Sequence, residues 1–295
     1  MAHPTARPAA VFTTLWLVCA AGLGAQAREH VAFVSVVDRQ NGSPIATVTA
    51  RDLVIREDRV SREILRVAPA TGPMPLAVLV DNSTAAEPAV ADIRTALTSF
   101  VQALGGLGPV AIISTAERPT VVTGYSDAPA SLTAGIQRIF ARPMSGVTLL
   151  EAVFETANGL MKREGERAAI VILSAGGMEQ STLHYSRALD RLKASGATLH
   201  AVVLAPPGRA VFDDASRQRD MLLDRGVKDT GGVRRDVLTS MAFGAALTDL
   251  AGVVTHQFRV VYARPQTLIP PDSFEVAAAA PGHVAHGTAA RGQPK

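Results

Sequence analysis

The sequence predicts an α/β fold: a doubly wound, mostly parallel sheet with helices on both faces, accompanied by a small β module drawn from the N- and C-terminal flanks. Three observations predict it. Four short runs, Leu76–Val80 (LAVLV), Val110–Ile113 (VAII), Ala169–Leu173 (AIVIL) and Leu199–Leu204 (LHAVVL), are apolar almost throughout and rich in β-branched residues, as strands covered on both faces must be. Helical periodicity fills most of the intervals between them, and strands alternating with helices favour parallel pairing. Both flanks switch to an alternating, two-residue period.

Taken in order, residues 1–27 read as an address rather than as fold. Ala9–Gly24 is an uncharged apolar run followed by Ala25-Gln26-Ala27, a small-x-small cleavage site. The run is shorter than the roughly 20 residues a spanning helix needs, so cleavage after Ala27 and a secreted or periplasmic mature chain are expected, with no membrane span left after cleavage. Cys19, the chain's one cysteine, lies in this leader. Disulfides and thiolate metal sites are therefore excluded from residues 28–295.

Residues 28–70 are expected to form the small β module, with a strand at Val31–Asp38, a turn at Asn41–Pro44 and two strands at Leu53–Asp58 and Arg62–Val67. Pro69–Pro75 (PATGPMP) is a linker. The α/β domain is expected over 74–255. Its helices are Val90–Leu104, Leu149–Met161, Leu183–Ala194, one near Arg217–Asp229 and one over Asp236–Leu250, and Val121–Tyr125 should pair as a hairpin with Val110–Ile113. A C-terminal β segment follows at 256–280, led by Gln257–Tyr262, which is expected to return to the N-terminal module. The Gly-, Ala- and His-rich residues 281–295 are expected to be a flexible tail.

Composition narrows the function. Apolar residues make up 47% and charged residues 19%, a globular balance, and 29 Lys+Arg against 26 Asp+Glu leave a net charge of only +3. No stretch holds five like charges, so a nucleic-acid surface is not expected. Enzyme motifs are missing: Ser174 lacks the glycine of a G-x-S-x-G elbow, and the Gly105–Pro109 run precedes a strand, whereas a phosphate cradle opens a helix.

In an open parallel sheet, ligands bind beyond the carboxyl ends of the strands. That rule selects three loops: Asp81-Asn82-Ser83-Thr84-Ala85, Ser145-Gly146-Val147-Thr148 and Ser174-Ala175-Gly176-Gly177. A strand-end Asp followed by hydroxyls could offer hard oxygens to Mg²⁺ or Ca²⁺. Equally, Asp81, Ser83 and Thr84 could cap the following helix.

At these residues the sequence resembles a family. Leu76–Ala85 (LAVLVDNSTA), Gly146–Ala152 (GVTLLEA) and Val171–Gly176 (VILSAG) fall where von Willebrand factor A domains carry their metal-ion-dependent adhesion site. The flanks, with Phe33–Asp38, Asp52–Asp58, Asp229–Gly232 and Phe258–Tyr262, are similar to the secreted bacterial "VWFA-related" branch. The resemblance implies a site written D-x-S-x-S, then Thr, then Asp. Those positions hold Asp81, Ser83, Ala85, Thr148 and Ala175, so two of the five carry no oxygen. One carboxylate and two hydroxyls are thin for a cation that needs about six oxygens. No cofactor is therefore expected. Rescue of Mg²⁺ or Ca²⁺ binding by Ser174 or Glu179 is the alternative.

The combined expectation is a non-catalytic, extracytoplasmic module that binds another protein, with Asp81, Ser83, Thr84, Thr148 and Ser174 as candidate contacts. Its rivals are a Mg²⁺- or Ca²⁺-dependent adhesion module with non-standard ligands and an α/β hydrolase-like enzyme. Elsewhere, His200 is expected to be a hydrogen-bonded core residue, His283 and His286 part of a solvated tail, Asp213-Asp214 a solvated turn and Arg234-Arg235 a surface pair.

Overall fold

The computed structural model describes residues 27–205, 213–266, 269 and 271–292. The expected leader up to residue 26, Cys19 included, lies outside the described residues, and so do residues 206–212 of the polar stretch after Leu204. The chain opens with β1 (Ala27–Asp38), β2 (Leu53–Glu57), β3 (Val60–Arg62) and β4 (Ile64–Pro69). The central part follows as β5 (Leu76–Val80), α1 (Val90–Ala103), β6 (Val110–Ser114), β7 (Thr120–Ser126), α2 (Pro129–Gln137), α3 (Leu149–Met161), β8 (Ala169–Ser174), α4 (Tyr185–Ser195), β9 (Thr198–Leu204), α5 (Asp214–Asp229), β10 (Arg234–Val237) and α6 (Phe243–Thr255). The chain closes with β11 (Gln257–Pro265), β12 (Phe274–Ala278) and β13 (His283–Ala289).

The central sheet has the order β10-β9-β8-β5-β6-β7. Every neighbouring pair is parallel except β6 with β7, the expected hairpin. The period of two sorts its side chains between two layers. Leu76, Val78 and Val80 of β5 and Val171 and Leu173 of β8 pack under α1, α2 and α6. Ala77, Leu79, Ile170 and Ile172 pack under α3, α4 and α5. Burying each such aliphatic side chain contributes about 1.5–3 kcal/mol, which is why these runs are apolar on both faces. After β5 the chain builds one half of the sheet, and from β8 it builds the other. The carboxyl ends of β5 and β8 therefore bound the crevice where such sheets bind ligands.

The flanks form two antiparallel sheets, β13-β1-β11-β4 and β12-β2-β3. The expected return of the tail strand is present, with β11 lying between β1 and β4. Ala32, Val34, Leu53, Ile55, Val260 and Tyr262 fill the space between the two sheets. This module sits against the amino ends of the central strands. The Arg167 guanidinium, just before β8, donates to the Gly72 and Ala70 carbonyls and at 2.8 Å to Gln257 Oε1. Ser35 Oγ of β1 donates to the Val253 carbonyl of α6 at 2.6 Å.

Three expectations are corrected here. The helix expected over Asp236–Leu250 begins only at Phe243, because Arg234–Val237 is the edge strand β10, parallel to β9. Edge strands are short and charged, and Arg234 pairs outward with Asp224 and Asp236, so its run carries no apolar signal. The tail expected to be flexible over 281–295 instead contains β13, antiparallel to β1 over Ala32–Asp38. Backbone pairing holds it despite its Gly- and Ala-rich composition. A Cβ on Gly231 would lie 1.8 Å from the Gly287 carbonyl oxygen, so two glycines let this strand press against the turn after α5. Arg291 then donates to the Ser195 carbonyl at 2.8 Å and the Leu160 carbonyl at 2.6 Å, closing the carboxyl ends of α4 and α3. His286 is accordingly a half-buried strand residue, not part of a solvated tail. α2, with Leu132 and Ile136 in the core, carried no expectation.

Candidate functional site

Asp81 follows β5 at the crevice and is only 2% exposed. Its carboxylate accepts four hydrogen bonds. Oδ1 takes the Ser83 N–H at 3.0 Å and the Ser83 hydroxyl at 2.7 Å. Oδ2 takes the Ala175 N–H at 3.0 Å and the Gly177 N–H at 3.1 Å. The loop after β8 thus folds over Asp81 and binds it through its own backbone. Gly176, at φ +76°, permits the turn. Gly177 permits the closeness, because a Cβ there would stand 2.3 Å from Ser83 Oγ and 2.5 Å from Val147 Cγ2.

The other candidate positions surround this closure. Thr148 precedes α3 and turns its hydroxyl to the Thr115 carbonyl at 3.1 Å. Thr84 Oγ1 donates to the Arg142 carbonyl and accepts the Ser145 N–H at 3.0 Å. Ser174 Oγ accepts the Gly176 N–H at 3.2 Å. Ala175 is buried and Ala85 half-buried. The capping role that Asp81, Ser83 and Thr84 could have had is not what they perform. Ser83 stands at the start of a short 3₁₀ turn without capping it, and α1 is preceded by Ala89. The Thr84 hydroxyl and the Asp81 carboxylate tie one loop to another instead, and the Ser83 hydroxyl braces Asp81 within its own loop. Asn82, which the sequence reading passed over, does most of this tying. Its Oδ1 accepts the Ala116 N–H, its amide donates to the Phe140 carbonyl, and its own carbonyl accepts the Arg142 N–H. Its place between Asp81 and Ser83 was the available signal.

Glu179 lies nearby, buried at the start of α3. Oε1 accepts the Leu149 N–H at 3.1 Å and the Ser181 N–H at 3.2 Å and hydroxyl at 2.5 Å, while Oε2 is buried without a partner among the described residues. Burial pushes its carboxyl up to about 7 against the pull of those donors. It anchors the loop rather than reaching Asp81. A divalent cation wants about six oxygens in its shell. Here Asp81 is taken up by four N–H and O–H donors, and Ala85 and Ala175 carry no side-chain oxygen. As placed, these residues do not fit such an ion. Among the described residues, no three His, Cys, Asp or Glu side chains cluster to hold one elsewhere.

Large apolar side chains are exposed around this closed crevice, together with the exposed Arg142–Glu117 ion pair. Val121, Phe140, Met144, Met178, Leu238 and Met241 are all exposed at this end of the sheet. Met178 projects from the loop that binds Asp81. Met144 is 97% exposed and has φ +55°, a left-handed conformation that costs a non-glycine residue about 1–3 kcal/mol. Arg94 lies 4.3 Å above the Phe140 ring and steadies it. Met178 O accepts the Val147 N–H, and Ser240 Oγ, beside Met241, donates to Asp92 at the start of α1. A hydroxyl–imidazole contact does occur, Ser186 with His184 at 2.8 Å, but His184 Nδ1 also accepts the Ser186 N–H and so serves as the cap of α4.

No protein-family model matches this chain, and no curated protein matches it. Among solved structures it is similar to a von Willebrand factor type A protein from Catenulispora acidiphila, at TM-score 0.53 and 9% identity over 90% of this chain and 66% of that one. It is also similar to proximal thread matrix protein 1 from the mussel byssus, at TM-score 0.51 and 12% identity over 68% of this chain and 50% of that one, in a structure with a zinc-occupied adhesion motif. The fold is that of a von Willebrand factor A domain with flanking β sheets.

Proposed function

We propose that this chain is a non-catalytic protein-docking module that works outside the cytoplasm and needs no divalent cation. The observation that carries the reading is the pair of exposed methionines, Met144 and Met178, on the two loops that close over a strand-end carboxylate bonded internally. Met adapts to varied partner shapes, which suits exposed methionines to a docking surface. The apolar leader supports export. Among the described residues, no helix is long and apolar enough to cross a membrane.

Replacing methionine by its diazirine analogue in the producing cell tests this reading. Each methionine position then becomes a photocrosslinker, and the crosslinked sites can be mapped by mass spectrometry. Adducts to another protein concentrated at Met144, Met178 and Met241, and unchanged by chelator, are expected. Adducts spread equally to Met161 and Met221, on the far end of α3 and on α5, or abolished by chelator, contradict it.

A further inference from the structure

At the opposite end of the molecule, a cavity of about 610 Å³ opens between the β module and the carboxyl ends of α3 and α4. Ligand sites typically have volumes of about 300–1,000 Å³ and favour such domain seams. Tyr262, Phe274, Met161 and Pro271 give it apolar walls. Its charged lining is Arg163, Lys193, Arg264 and Arg291 against Glu57 and Glu164, a cationic excess. Glu57, 1% exposed, is neutralised within the floor. Its Oε1 accepts the Tyr262 hydroxyl at 2.9 Å, and Arg62 and Arg264 sit on Oε2 at 3.0 and 3.2 Å.

One group is left over. His30 lines the cavity and is 6% exposed. Among the described residues its ring makes no hydrogen bond and meets the Tyr262 ring at a tilt of 45°, at 5.9 Å between centroids. Burial and the Arg264 charge hold it below its ordinary value, so at neutral pH it offers one donor and one acceptor. His30 lines the cavity with its ring hydrogen-bonding capacity unspent on the protein, so a ligand there can take it up.

We propose that this seam cavity binds a small organic anion with an apolar body, its charge held by Lys193 and Arg163 and its polar edge by His30. The site is separate from the apolar end of the sheet and stands or falls independently of the docking role.

The test is calorimetric titration of the full chain with 3-phenylpropionate, and with 3-phenylpropylammonium as the counterpart of opposite charge. Saturable binding of the anion alone is expected, weakened about two- to fivefold by Lys193→Glu, the order of effect of a half-exposed charge pair. His30→Phe keeps the buried ring and should weaken the anion similarly, while Met144→Ser should leave it unchanged. Lys193 is a half-exposed helix residue, so Lys193→Glu keeps the question answerable if His30→Phe fails to fold. No saturable anion binding, equal binding of the ammonium, undiminished binding to Lys193→Glu or loss in Met144→Ser would each overturn the proposal.

Discussion

The two ends of the central sheet handle polar groups in opposite ways. At the carboxyl end, the polar side chains of Asp81, Asn82, Ser83, Thr84 and Thr148 are bonded within and between the loops, while Met144 and Met178 stand in solvent. At the amino end, polar groups do the joining. Arg167 and Arg291 reach from the central domain and the tail into backbone carbonyls across the seam, and Glu57 holds two arginines beneath it. Buried charge therefore fastens one end, while at the other a strand-end carboxylate is sealed beneath a surface suited to contact. A pattern of residue types does not say which of these fates it will have; the direction of each hydrogen bond does.

The largest effect should come from the seam. Arg264→Leu leaves Glu57 without one of its two cations, and breaking a buried pair in this way costs about 3–5 kcal/mol. Chemical denaturation should report it, and a loss below about 1 kcal/mol would mean the pair is dispensable. At the sheet's other end, Asp81→Ala strands the Ala175 and Gly177 N–H groups, which should cost about 2–3 kcal/mol whether or not cations are present. Gly177→Ala should cost about 1–3 kcal/mol by overpacking against Ser83 and Val147, and should raise hydrogen exchange in residues 175–178 more than elsewhere.

Acid and base should separate the two ends further. Burial pushes His200 down to about 3, and its Nδ1 accepts the Val233 N–H in the neutral form. The unfolded chain then binds the extra proton first, so this contribution is lost as pH falls from about 6.5 towards 3, at up to about 1.4 kcal/mol per unit. Glu179 has the opposite sign. Its raised value means stability is fully present below its ordinary 4.5 and is lost as pH rises to about 7. In stability–pH curves, Glu179→Gln should abolish the second slope and leave the first, whereas an unchanged curve would show that its carboxyl is solvated.

Much of the fold was legible because buried parallel strands must be apolar on both faces, as Leu79 and Val171 are. The same logic hides β10, whose Arg234 and Asp236 face solvent at an edge, and β13, which is ordered by backbone pairing and by Gly231 and Gly287 rather than by side-chain pattern. For the site, the sequence located Asp81, Ser83, Thr148 and Ala175 correctly at one crevice, since strand ends place them there. It could not reveal that the loop at 175–177 bonds Asp81 through its backbone, because backbone donors leave no residue signature. The exposed methionines were readable in principle: Met144 and Met178 each sit among turn residues, where an apolar side chain has no core to enter.

The most direct test of a cation-free docking end is a calorimetric titration of the chain with Mg²⁺, Mn²⁺ and Ca²⁺ in turn. The account predicts no saturable binding in the micromolar range for any of the three. Low-micromolar binding of one of them, abolished by Asp81→Ala, would contradict it.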